Sequence, residues 1–108
     1  MKRYFDIINH FGVRAQMKKL NEECFEFLEA VDTYEDFSDG LYTHASPEDI
    51  NFFRDHVIEE MGDMLLLLTQ FSVLYKIDKD ELDKWMDYKL ERTEGYIKDM
   101  VSKGEHVR

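Results

Sequence analysis

Glu23 and Glu26 stand three residues apart in the segment LNEECFEFLEA, and Glu60 and Asp63 repeat that spacing in IEEMGDM. On a helix, side chains three apart leave the same side one turn apart, with Cβ atoms roughly 5–6 Å from each other. Each pair can therefore share a ligand. Two such pairs on helices that pack together bring four carboxylates into a half-buried groove, where they repel one another and lose hydration unless a cation compensates. Donors that are all oxygen select a hard ion, Mg²⁺ or Mn²⁺, over zinc. Either pair alone describes an ordinary solvated helix face. The two together, beside buried stripes, describe a candidate metal site.

The elements that must position these residues read as long helices joined by few loops. The chain has five glycines and one proline, with Gly12 near the start and Gly40 and Pro47 inside DFSDGLYTHASPED. From Val13 to Asp32 the apolar residues Met17, Leu20, Cys24, Phe27, Leu28 and Val31 recur at helical spacing and predict the first long helix, packed on that stripe. Ser46 as N-cap, Pro47 at the first helical position and acidic residues in the first turn open a second. Its apolar side chains cover most of its circumference, so it needs cover on both sides. Asp78, with Glu81 three residues on, starts a third that runs to about Met100. The first dozen residues suit a short helix, and the tail SKGEHVR reads as frayed. The fold class expected is all-α: one domain over residues 1–108, an antiparallel bundle of three long helices and a short N-terminal one, completed by dimerisation into a homodimer or a dimer of dimers.

Bulk properties narrow the function. A formal net charge of −10 with no Lys/Arg cluster opposes binding to a nucleic-acid polymer or an anionic membrane. A phosphate ester would need cations to mediate. The start is too polar for a signal peptide and the longest apolar run, Met64 to Leu68, too short to span a bilayer. The lone cysteine, Cys24, has no internal disulfide partner. These features predict a soluble, cytoplasmic protein.

EECFE (Glu22 to Glu26) followed by EMGD (Glu60 to Asp63) resembles the E-E-x-x-E and E-x-x-D motif pair of the MazG-like, all-α nucleoside triphosphate pyrophosphohydrolases, and YKLERTEGYI resembles the K-x-x-R element that follows in many short members. The likeness runs over about residues 13–97. It implies a Mg²⁺-dependent enzyme, Mn²⁺ serving as well, that cleaves a (deoxy)nucleoside triphosphate to the monophosphate and pyrophosphate. It further implies that Glu23, Glu26, Glu60 and Asp63 hold the metal, that Glu22 is an outer carboxylate or the base for the attacking water, and that Lys89 and Arg92 meet phosphate oxygens. Two departures stand against it: the link from Glu26 to Glu60 is longer than in compact members, and the residues after Arg92 lack the further Lys, Asn and Arg of many relatives.

Three other readings remain open on sequence alone. One is a phosphoribosyl-ATP pyrophosphohydrolase-like enzyme, which shares scaffold and reaction type. Another is a non-catalytic acidic helical module for dimerisation or nucleotide binding. The third, a di-iron carboxylate protein, is disfavoured because none of His10, His44, His56 and His106 forms an E-x-x-H pair. His56 lies one turn before Glu60 and is a candidate neighbour of the site. Gly62, between the acidic residues, costs its helix on the order of 1 kcal/mol relative to Ala, which a close helix approach or ligand clearance would explain.

Overall fold

The computed structural model describes residues 1–39 and 46–104. Gly40, His44 and His106, named above, lie outside them. Four helices and no strands occur among the described residues: α1 (Lys2–Phe11), α2 (Val13–Ser38), α3 (Pro47–Leu74) and α4 (Lys79–Ser102). None is long and apolar enough to cross a membrane. The chain divides into two compact units, Met1–Tyr75 and Lys76–Arg108.

In the first unit, α1 buries Ile8 and stops at Gly12, whose φ of 92° is a backbone conformation that side chains with a Cβ rarely adopt. The Gly12 amide donates to the Ile8 carbonyl at 2.8 Å, so the break between α1 and α2 is a tight corner. Ser46 caps α3 as the sequence predicts. Its hydroxyl accepts from the Asp49 amide at 3.2 Å while its own amide donates to the Asp49 carboxylate at 3.1 Å, and Pro47 opens the first turn. Helices α2 and α3 run antiparallel: Gln16, early in α2, bonds Gln70, late in α3, and Phe37, late in α2, packs on Phe53, early in α3, with ring centres 4.2 Å apart. That aromatic contact accounts for a correction. α2 continues to Ser38 rather than ending near Asp32, because Phe37 has a partner to bury against.

A second correction concerns which face is packed. On α2 the buried residues are Gln16, Glu23 and Ala30, seven apart, while Met17 and Leu28 of the expected stripe stay 47% and 58% exposed. On α3 the buried residues are Glu60, Leu67 and Gln70. Four of these six buried residues are polar, while Leu20, Cys24, Phe27 and Val31 of the expected stripe lie half-buried beside them. On the rest of α3, Ile58, Met61, Leu65 and Leu68 remain about half exposed. Gly62 receives no explanation from close packing, since a Cβ there would meet nothing within 4 Å.

In the second unit, Asp78 caps α4 through the Asp80 amide at 3.0 Å, and the Asp78 amide donates to Glu81 at 2.9 Å. The predicted start of this helix is therefore the observed one.

Candidate metal centre

The antiparallel seam brings the two acidic motifs together. Glu23 and Glu60 are the buried carboxylates, 5% and 8% exposed, and each offers an oxygen that lies within 4.8 Å of the other and of one from the exposed Glu26. Their second oxygens decide how the site is read: Glu23 Oε2 and Glu60 Oε2 are both buried with no hydrogen-bond partner. A buried carboxylate oxygen without a donor is strongly disfavoured. Two of them, on carboxylates of one acidic cluster, fit a hard cation that needs oxygen ligands.

Electrostatics divide the pair. Lys19, one turn ahead of Glu23, places Nζ 3.1 Å from Glu23 Oε1, and its hydrogen bond holds the Glu23 carboxyl below the ordinary glutamate value. Glu60 has no such partner. Burial first, and then the charges of Glu26, Glu23 and Asp63, raise its carboxyl above the ordinary value. His56 Nε2 lies 3.7 Å from Glu60 Oε1, too far for a good hydrogen bond. With no cation present, Glu23 is therefore the easier of the two to ionise and Glu60 the harder.

Of the residues the sequence singled out, Glu23, Glu26 and Glu60 converge. Asp63, half-buried one turn beyond Glu60, falls outside that cluster and lines an adjoining cavity of about 610 Å³ together with Glu22 and Glu23. A second cavity, lined by Glu26, Glu60, His56 and Phe53, adjoins the cluster as well. Lys89 and Arg92 stand exposed on α4 in the second unit. Among the described residues neither forms an ion pair, and the Arg92 guanidinium lies 5.9 Å from the Tyr88 ring centre.

Residues 11–93 match the MazG nucleotide pyrophosphohydrolase domain. The chain belongs to that family. No curated protein and no solved structure matches it. The matched span includes every MazG motif residue named above, from Glu22 to Arg92, so the resemblance read from short motifs holds for the greater part of the chain.

Three residues beside the candidate site escaped the sequence reading. Lys19 had a visible signal, a lysine at i−4 from a motif glutamate. Gln16 and Gln70 had a subtler one: each lies seven residues from a motif carboxylate, Glu23 and Asp63 respectively, and so shares the packed seam.

Proposed function

We propose that the protein is a divalent-metal-dependent pyrophosphohydrolase that cleaves a nucleoside triphosphate between its α and β phosphorus atoms, releasing the monophosphate and pyrophosphate, and that it acts as a homodimer or dimer of dimers. The observation that carries this reading is the convergence of Glu23, Glu26 and Glu60 with two buried, unpartnered carboxylate oxygens, inside a chain of the MazG family.

Glu23, Glu26 and Glu60 would hold Mg²⁺ or Mn²⁺, with Asp63 adding its carboxylate from the cavity side. The ion supplies charge neutralisation for the polyphosphate and lowers the pKa of a bound water. The chain's own groups do the rest. Glu22, exposed and lining the same cavity as Glu23, is available to take the proton of the attacking water. Lys18 and Lys19 also line that cavity and supply charge-assisted hydrogen bonds to phosphate oxygens. For Lys89 and Arg92 the support is the family motif, and Arg92→Ala is expected to raise the KM for a triphosphate.

The deciding experiment measures pyrophosphate release from ribo-, deoxyribo- and modified nucleoside triphosphates with Mg²⁺, Mn²⁺ or EDTA. Metal-dependent release that is lost in Glu60→Gln supports the assignment. Release that survives in Glu60→Gln and Glu23→Gln would place the chemistry elsewhere, and none from any triphosphate would reject the reaction.

A further inference from the structure

The cavity beside the carboxylates has apolar walls, Phe11 and Leu66 among them, and two amide side chains, Gln16 and Gln70. Both amides are buried, at 7% and 2% exposure. Gln16 Nε2 donates to Gln70 Oε1 at 2.8 Å. That single bond leaves Gln16 Oε1 as an acceptor and Gln70 Nε2 as a donor, neither with a partner among the described residues. Neither atom is one of the buried, unpartnered polar atoms, so both keep surface open to the cavity and present a donor and an acceptor side by side to whatever enters.

Resting on the nucleotide reading above, we propose that Gln16 and Gln70 form the subsite that recognises the nucleobase. A base edge carries neighbouring hydrogen-bond donors and acceptors on a flat, apolar-faced ring. The amide pair matches the edge, and the walls match the faces; Phe11, 61% exposed, offers a ring on which to stack. Spacing agrees as well. Gln16 precedes Glu23 by seven residues, which at the rise of an α-helix is roughly 10 Å, the scale that separates a base from its phosphates. The second cavity is less suited to a neutral base, since Glu26, Glu29, Asp32 and Glu60 give it an acidic lining. A bond between buried amides also ties α2 to α3, so the test must separate recognition from packing.

The full chain, labelled with ¹⁵N and kept in EDTA, is titrated with the deoxynucleosides, with deoxyribose 5-phosphate and with pyrophosphate, while the side-chain amide resonances of Gln16 and Gln70 are followed. At least one nucleoside is expected to shift both resonances, and neither the sugar phosphate nor pyrophosphate should do so. In parallel, kcat/KM is compared across deoxynucleoside triphosphates for wild type, Gln16→Leu and Gln70→Met, each checked for helicity and melting. Folded variants are expected to lose at least tenfold in the ratio of best to worst base, a readout that loosened packing alone would not move. Should Gln70→Met fail to fold, Gln16→Leu and the wild-type titration decide. Amide resonances unmoved by every nucleoside, shifts produced by the sugar phosphate alone, or an unchanged base ratio in a folded variant would overturn the proposal. Absence of pyrophosphate release is a different failure: it removes the reaction and leaves the nucleoside titration to judge the subsite.

Discussion

Replacing Glu60 by Gln removes one charge from a cluster whose oxygens lie within 4.8 Å of one another, at nearly constant volume. At that separation and an effective dielectric of about 20, each like-charge pair repels by about 3.5 kcal/mol. Lys19 on Glu23 and proton uptake by Glu60 relieve part of this, so Glu60→Gln is expected to stabilise the metal-free protein by about 1–3 kcal/mol at pH 7. For a chain of this size that corresponds to about 4–12 °C in melting temperature. The pH dependence follows from the direction of the shift. Glu60 titrates above its unfolded value of 4.5, so the folded state binds the extra proton and wild-type stability falls as pH rises through the raised value. The advantage of the variant should accordingly be small at or below pH 4.5 and grow above it. Added metal should invert the order: at a hundredfold excess over Kd, wild type gains about 2.7 kcal/mol and the variant far less. Differential scanning fluorimetry in EDTA and in Mn²⁺, across pH, reads all of this. A variant that is no more stable than wild type in EDTA, or equally stabilised by metal, would refute the picture of an uncompensated carboxylate waiting for a cation.

Lys19→Met should destabilise the metal-free protein, since Glu23 loses its charged hydrogen bond, and should enlarge the stabilisation by Mn²⁺ because no ammonium competes for that carboxylate; thermal melts with and without metal check both signs. Glu60 takes up a proton more readily than an ordinary glutamate and a bound metal requires its carboxylate ionised, so metal affinity should fall toward acid pH, and calorimetry at mildly acid pH in buffers of different ionisation enthalpy should detect proton release. Gly62→Ala, where a Cβ meets nothing within 4 Å, should stabilise by about 0.5–1 kcal/mol; a folded variant with activity lost would show that the glycine clears space for a ligand. Light scattering should give at least twice the 13.0 kDa chain mass, and Leu65→Glu, on the half-exposed side of α3, should shift the protein to monomer with its helicity intact.

The helix starts were legible in the sequence because capping is local: Ser46 with Asp49, and Asp78 with Glu81, act over three residues and find their partners whatever the tertiary structure. The convergence of Glu23, Glu26 and Glu60 was legible too, since helical spacing fixes which carboxylates share a face. The packed seam was not. Hydrophobic periodicity points to Met17 and Leu28, yet Gln16 and Glu23 occupy the contact; Gln16 is held by Gln70 across the seam and Glu23 by Lys19 on its own helix. The end of α2 was lost for a related reason, because Phe37 is held by Phe53 from another helix. Site residues recruited through such cross-helix partners leave only a faint trace, the seven-residue interval.

The polar seam has a consequence for how long the molecule survives. Among the described residues the buried apolar side chains are few, Ile8, Ala30 and Leu67, so much of what joins α2 to α3 is polar. Opening of that helix pair is therefore governed by what fills the seam. Amide hydrogens on the inner faces of both helices should exchange quickly in the empty protein and slowly once cation and nucleotide are bound, and proteases should cut the empty form first. On the proposed reading, supply of metal and substrate should then set the abundance of the protein as well as its turnover.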